Sequence, residues 1–184
     1  IIDGSKRSTK SNAYFTGFGK KKRIVLYDTL ISDLTVDEIV AVLAHEIGHY
    51  KKKHVMSGMA ISLAVTGFTF WLFSFFVNDP SLARALGGGE PSFHLNMAAF
   101  SLLYIPLDDV TRFLMNCLSR RHEYEADNFT ERHGAGDALI SALKKICSKS
   151  LTNLTPHPLV VFICASHPTL LQRIHNIRKQ RASR

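Results

Sequence analysis

The sequence is short of cysteine, and the few cysteines it has do not form a framework. Cys117, Cys147 and Cys164 are an odd number, and none of them lies in a Cys-x-x-Cys spacing. This excludes disulfides as the basis of the fold, and nothing requires an oxidising compartment. Apolar residues are not scarce, because 46% of the chain is hydrophobic. That proportion argues against disorder, and a length of 184 residues predicts one domain.

Charge is also missing from one long stretch, residues 55–77, which contains no Asp, Glu, Lys or Arg. A helix needs about 20 apolar residues to cross the hydrocarbon core of a bilayer. The stretch therefore predicts a transmembrane helix, and a buried core helix is the alternative. Because the stretch is internal, it is not a signal peptide.

A second candidate span covers residues 93–118. Its charged side chains, Asp108, Asp109 and Arg112, would have to face protein or water, because charge is costly in lipid. The two spans together predict a transmembrane helical hairpin over residues 55–118, joined by an extra-cytosolic loop at 78–92.

The basic residues are concentrated at the outer ends of this hairpin. Lys51, Lys52 and Lys53 precede the first span, and Arg120 and Arg121 follow the second span. The positive-inside rule places both flanks in the cytosol. A net charge of +8 also suits nucleic-acid binding. No nucleic-acid motif accompanies it, so we expect the bilayer as a partner and no nucleic acid.

Before the first span, residues 1–54 combine a predicted β-hairpin with a predicted helix. Residues 11–18 and 23–27 are rich in aromatic and β-branched side chains, which is typical of paired strands. Such a hairpin is either a small structural sheet or an exposed edge that holds an extended peptide. Thr35 and Glu38 have the spacing of a capping box, and the apolar series after them predicts a helix to at least His49.

This helix contains the sequence His45-Glu46-Ile47-Gly48-His49. Two histidines four residues apart lie on one helical face and can bind one zinc ion. Glu46 is rotated from that face and can act as general base toward water, as in HExxH metalloproteases. The alternative is two solvated histidines on a surface helix.

A catalytic zinc site needs a third protein ligand, and residues 119–184 offer candidates. Glu123 and Asp127 are four apart, so one can bind the metal while the other orients a ligand imidazole from behind. His122 is a rival ligand. We expect Glu125 to be solvated and His54 to flank the first span. A helical hairpin would return residues 45–49 and 123–127 to the same face of the membrane.

Several segments occur in an order that resembles a known family: SNAYFTGF, KKRIVLYDTL, EIVAVLAHEIGHYKKKH, SRRHEYEAD and SHPTLLQRI. The sequence resembles the Ste24-type CAAX prenyl proteases, which are M48 zinc metalloproteases of membranes. Members of that family are roughly twice as long as this sequence and have about seven membrane spans. We therefore expect the C-terminal catalytic part of a longer protein, in keeping with Ile1 in place of a start methionine.

The resemblance implies a mainly α fold with a small β-hairpin, a zincin-like HExxH core and two transmembrane helices, together one catalytic domain. It implies one Zn²⁺ per chain. It also implies a role for each candidate site residue. The zinc ligands are His45, His49 and Glu123, and the catalytic base is Glu46. Asp127 supports a ligand histidine, His167 stabilises the transition state, and the substrate is bound by Asn12, Ala13 and Tyr14.

His167 precedes Pro168, and proline suits the first position of a helix. We therefore expect His167 to be the N-cap of a helix over residues 169–181, with a neutral imidazole because the helix dipole disfavours its cation. The neutral imidazole would still donate a hydrogen bond to an oxyanion. The alternative is an ordinary surface cap.

The function implied is an integral-membrane zinc metalloendopeptidase that removes the C-terminal tripeptide of prenylated proteins, with its site on the cytosolic side. The membrane would be the endoplasmic reticulum in a eukaryote and the inner (plasma) membrane in a bacterium. One alternative is an HtpX-like protease that degrades misfolded membrane proteins. Another is a zinc-binding membrane scaffold without catalysis, which the presence of Glu46 disfavours.

Overall fold

The structure is a computed structural model that describes residues 1–3, 6, 13–16, 23–90 and 92–183. It divides into two compact units, Ile1–His54 with Asn116–Arg184, and Val55–Met115. In chain order the elements are β1 (Ala13–Thr16), β2 (Arg23–Leu26), α1 (Asp28–Asp33), α2 (Val36–Lys51), α3 (His54–Ser74), α4 (Pro80–Ala85), α5 (Phe93–Arg132), α6 (Gly136–Lys149), α7 (Pro158–Cys164) and α8 (Leu170–Ala182). The predicted mainly α fold with a small β-hairpin is confirmed.

The two strands pair antiparallel, with Ala13 opposite Leu26 and Thr16 opposite Arg23. In the described part of the chain the sheet has only these two strands, so β1 is an edge strand there. β1 also lies beside α2. The sequence did not predict α1, a short helix that separates the hairpin from α2.

The helix α2 begins as the sequence predicts. The Thr35 hydroxyl accepts a hydrogen bond from the Glu38 backbone N–H, and the Thr35 N–H donates to the Glu38 carboxylate at 2.7 Å. This capping box satisfies two backbone donors that a helix otherwise leaves unpaired. The start of the helix, and with it the direction of its two histidines, is therefore fixed by local chemistry.

The core of the first unit lies where α6 packs against α2 and α8. One cluster joins Leu30, Leu34 and Val42 to Ala142. A second cluster joins Ala41 of α2, Leu139 and Ile140 of α6, and Ile177 of α8. Burial of these side chains, at about 25 cal/mol per Å² of apolar surface, holds the helices that carry the polar residues described below.

In the second unit, α3 packs against the first half of α5. The Thr69 and Tyr104 hydroxyls are 2.6 Å apart, and the Asn96 side-chain amide donates to the Phe76 and Val77 carbonyls. The predicted loop at 78–92 contains the short helix α4, which the sequence did not predict.

Among the described residues, α3 is the one helix that is long and apolar enough to cross a membrane by length and composition. Its most apolar 18-residue window is not buried by other parts of the chain. The second predicted span falls within α5, which does not meet the same criterion over the part described. That span stays a prediction.

Candidate metal centre

Three predicted ligands meet in the first unit, two from α2 and one from α5. The Nε2 atoms of His45 and His49 are 3.1 Å apart. The Glu123 carboxylate lies 3.6 Å from His45 Nε2 through one oxygen and 3.4 Å from His49 Nε2 through the other. Tetrahedral zinc with bonds of about 2.0–2.1 Å keeps its ligand atoms about 3.3–3.4 Å apart. Two imidazoles and one carboxylate at these separations suit a divalent zinc ion in donor type and spacing.

Glu123 is buried, and it is surrounded by positive or hydrogen-bonding groups. Burial alone would raise the pKa of its carboxyl group. The hydrogen bonds from His167, His45 and His49, with the charge of Arg173, outweigh burial and hold that pKa well below its usual range. The side chain is therefore a carboxylate, the form in which it can bind a metal cation.

Glu46 follows His45 in α2 and is half-buried. Burial raises the pKa of its carboxyl group above the ordinary value, and the neighbouring His45 and His49 oppose that shift. A carboxylate of raised pKa takes up a proton more readily at neutral pH, which is the property that general-base chemistry uses.

Asp127 lies behind His45, as the sequence prediction requires. Its Oδ1 atom is 3.1 Å from His45 Nδ1, on the side of the ring away from the Nε2 atom that faces Glu123. Asp127 is fully buried. A carboxylate in this position fixes the ring orientation and leaves Nε2 as the free ligand atom.

Arg173 of α8 is a site residue that the sequence analysis missed. Its Nε and Nη2 atoms donate to both oxygens of Asp127 at 2.9 and 2.6 Å, and Nη1 lies 3.1 Å from Glu123. A sequence signal was present. Arg173 occupies the same helical face as Leu170 and Ile177, so a charge interrupts an apolar stripe, and such a charge needs a buried partner.

His167 also contacts Glu123, with its Nδ1 atom 3.2 Å from Oε1. The expectation that His167 caps a helix is wrong. The N-cap of α8 is Thr169, which forms a capping box with Gln172, and this pattern of Thr followed three residues later by Gln is stronger than a proline signal. The hydrogen bond with Glu123 raises the pKa of His167 despite partial burial, which is the opposite of the shift that a helix N-terminus would give.

His122 is not part of the ligand group. Among the described residues, the side chains close enough to hold one metal ion are His45, His49 and Glu123. The His122 ring instead stacks on that of His54, with centroids 3.9 Å apart. His54 begins α3, beside the first predicted span, but it is also buried and contacts Glu125, which is partly exposed.

The predicted substrate residues lie at the hairpin. Ala13 and Tyr14 belong to β1, the edge strand beside α2. Asn12 lies outside the described residues. The strand placement is as predicted, and a role in binding substrate stays a prediction.

Two helices that bring two imidazoles and a carboxylate together beside a further glutamate define a candidate metallopeptidase centre. Comparison with known proteins agrees, since residues 1–181 match Peptidase family M48. The chain belongs to this family, and the predicted metalloprotease class is thereby confirmed.

Named relatives refine the comparison. The chain is 37% identical over 190 residues to CAAX prenyl protease 1 of Saccharomyces cerevisiae, covering 95% of this chain and 42% of the relative. It is 31% identical over 217 residues to the Homo sapiens homologue, with 97% and 46% covered. The crystal structure of S. mikatae Ste24p matches with a TM-score of 0.85 and 38% identity, over 96% of this chain and 44% of that one. The chain thus spans less than half the length of these relatives.

Proposed function

We propose that the chain forms the catalytic part of an integral-membrane zinc metalloendopeptidase that removes the C-terminal tripeptide of prenylated proteins. The observation that carries the proposal is the meeting of His45, His49 and Glu123, whose ligand atoms all lie within 4.8 Å of one another. Membership of the M48 family and the names of the CAAX prenyl protease relatives support the reaction class and the substrate.

The membrane part of the proposal rests on α3, whose length and composition allow it to cross a bilayer. We propose a second span in the first half of α5, which contacts α3 through Tyr104 and the turn after α3 through Asn96. The basic flanks favour a cytosolic site. The membrane is that of the endoplasmic reticulum for a eukaryotic source and the inner (plasma) membrane for a bacterial one.

In the proposed mechanism, His45, His49 and Glu123 would hold a zinc ion, which would supply Lewis acidity for the attack of water on the scissile carbonyl. Glu46 accepts a proton from that water at its carboxylate and later returns it to the leaving amine. His167 donates a hydrogen bond to the developing oxyanion. The substrate extends along β1 at Ala13 and Tyr14, where its backbone pairs with the open edge of the strand.

The test measures zinc content and cleavage in the full-length protein, purified in detergent or reconstituted in vesicles. The substrates are a farnesylated peptide ending in a CAAX sequence and the same peptide without the lipid. We expect about one zinc per chain in both wild type and Glu46→Gln. We expect release of the tripeptide only by wild type, and faster from the farnesylated peptide.

Glu90→Gln is the matched control, because Glu90 is exposed and lies in the loop between α4 and α5. It is expected to match wild type in both measurements. Activity that persists in Glu46→Gln contradicts the assigned base. Equal cleavage of both peptides favours an HtpX-like quality-control protease. Zinc binding with no cleavage of either peptide favours the scaffold.

A further inference from the structure

The two candidate histidine ligands differ in what lies behind them. His45 Nδ1 faces the Asp127 carboxylate directly. His49 Nδ1 faces another histidine instead, because the Nδ1 atom of His54 lies 2.9 Å away. His54 is buried, with 7% of its surface exposed. The ligand ring of His49 is therefore backed by a buried imidazole that the HExxH pattern does not include.

A carboxylate lies on the far side of His54. The Nε2 atom of His54 is 3.3 Å from Glu125 Oε2. The other oxygen of Glu125 accepts a hydrogen bond from Arg121 Nε at 3.0 Å. A continuous series of contacts therefore runs from the exposed Arg121 through Glu125 and His54 to His49.

With Glu125 ionised and His54 neutral, these groups have one consistent placement of protons. A carboxylate only accepts hydrogen bonds, so the Nε2–H of His54 donates to Glu125. The Nδ1 atom of the same neutral ring then has a lone pair and accepts the Nδ1–H of His49. His49 is left with its lone pair on Nε2, the atom that faces His45 and Glu123.

We propose that His54 and Glu125 are positioning residues that fix the tautomer and the ring orientation of His49 for metal binding. The inference rests on the metal site proposed above and adds residues to it. Partners behind a ligand imidazole are known to set metal affinity, and their loss typically weakens it 10- to 100-fold. Here the Glu125 carboxylate acts on His49 through the His54 imidazole, whereas Asp127 acts on His45 directly.

Two ring-to-ring contacts also hold the His54 imidazole in place. His122 stacks on its face with an interplanar angle of 9°, and His49 meets it edge-on at 78° with centroids 4.9 Å apart. Stacking restricts rotation about the last side-chain torsion of His54, a torsion that is otherwise broad. The Nδ1 atom is thereby kept toward His49 and the Nε2 atom toward Glu125.

The experiment measures the zinc dissociation constant of the full-length protein by competition with a chelator, together with the visible spectrum of its cobalt(II) form. We expect His54→Ala to weaken zinc binding about 10- to 100-fold and to change the cobalt spectrum. His54→Asn puts an amide oxygen near the position of Nδ1, so it still accepts from His49. We expect it to recover about half of the loss on a logarithmic scale.

Glu125 gives an independent test, because it acts only through His54. We expect Glu125→Ala to weaken zinc binding several-fold in the presence of His54 and to have no effect in the His54→Ala background. The matched control is His133→Ala, an exposed histidine in the turn that follows α5. It is expected to bind zinc within about twofold of wild type.

Two results would overturn the proposal. One is a His54→Ala protein that binds zinc as tightly as His133→Ala. The other is a Glu125→Ala effect of equal size with and without His54. If His54→Ala does not fold, the Glu125→Ala and His54→Asn measurements decide. A wild-type protein that binds no zinc would instead refute the metal site itself. If wild type binds zinc tightly and His49→Ala abolishes that binding, the metal site stands even if substitution of His54 has no effect.

Discussion

Gly48 of α2 and Ala126 of α5 form the close contact that brings the two ligand-bearing helices together. A Cβ atom at Gly48 would lie 3.1 Å from the Cα atom of Ala126, 3.2 Å from the Phe129 Cβ atom and 3.3 Å from the Ala126 carbonyl oxygen. Both residues are buried. The glycine lies one residue before His49, and Ala126 lies three residues after Glu123, so the contact sets the distance between ligands on different helices.

Gly48→Ala is expected to separate the two helices and weaken the metal site. Alanine favours a helix by about 1 kcal/mol over glycine, but backbone atoms of α5 would have to move by a few tenths of an ångström. We expect a lower melting temperature and weaker zinc binding. The control is Gly58→Ala in α3, where a Cβ atom meets nothing within 4 Å. Equal behaviour of the two variants would mean that the contact is not what spaces the ligands.

Arg173→Met is expected to destabilise the first unit by about 3–5 kcal/mol, because it leaves the buried carboxylates of Asp127 and Glu123 without their shared cation. Arg173→Lys keeps the charge but loses the bidentate hydrogen bonds to Asp127, so we expect a smaller loss of stability than in Arg173→Met. Thermal melting of the purified protein measures both. Arg178→Met, on the exposed side of α8, is the control, and a melting temperature as low as that of Arg173→Met would refute the assignment.

Glu38 links α2 to α6 and predicts a pH dependence of stability. Burial alone would raise the pKa of its carboxyl group. Hydrogen bonds from Lys145, Ser141 and the Thr35 backbone outweigh burial and lower that pKa from 4.5 to about 2. Because folding lowers this pKa, the ionised carboxylate stabilises the folded protein at every pH above the pKa of the unfolded chain. That contribution, about 1–2 kcal/mol after allowance for the partly exposed Lys145, is lost as pH falls from 4.5 to 2.

The measurement compares melting temperatures of wild type and Glu38→Gln across this pH range. We expect Glu38→Gln to melt several degrees below wild type at pH 7 and the difference to shrink toward pH 2. Asp37→Asn, an exposed neighbour in the same helical turn, is expected to differ little from wild type at either pH. If the difference in melting temperature between wild type and Glu38→Gln does not change with pH, the lowered pKa of Glu38 is contradicted.

Metal removal is expected to lower the melting temperature of the wild-type protein. A ligand at about 100 times its dissociation constant stabilises a fold by about 2.7 kcal/mol, so a chelator is expected to lower melting by several degrees and added zinc to restore it. Glu123→Gln, which lacks one ligand charge, is expected to show little response to the chelator. A response of equal size in both proteins would argue against binding at this site.

The parts of the site that depend on local spacing could be predicted from the sequence. His45 and His49 share a face because they are four apart in a helix, and that helix begins at a capping box that the residues themselves display. Glu123 and Asp127 follow the same rule in α5. These relations need no knowledge of how distant parts of the chain pack.

The remaining site residues depend on packing that no spacing reveals. Arg173 reaches Asp127 across 46 positions of sequence, and Glu125 reaches His54 across 71. His54 stands between a run of lysines and the first predicted span, so its position in the sequence indicates only a membrane flank, yet it is buried beside His49. The short helices α1 and α4 lack the periodic apolar pattern that makes longer helices recognisable, so the sequence did not predict them.

Each oxygen of Glu123 serves two partners, since Oε1 lies near His49 and His167 while Oε2 lies near His45 and Arg173. Aspartate, one methylene shorter, would withdraw from all four contacts at once, and glutamine would offer only one accepting oxygen. A substitution at any one of these four partners removes part of the network, whereas a substitution at position 123 alters every contact in it at once.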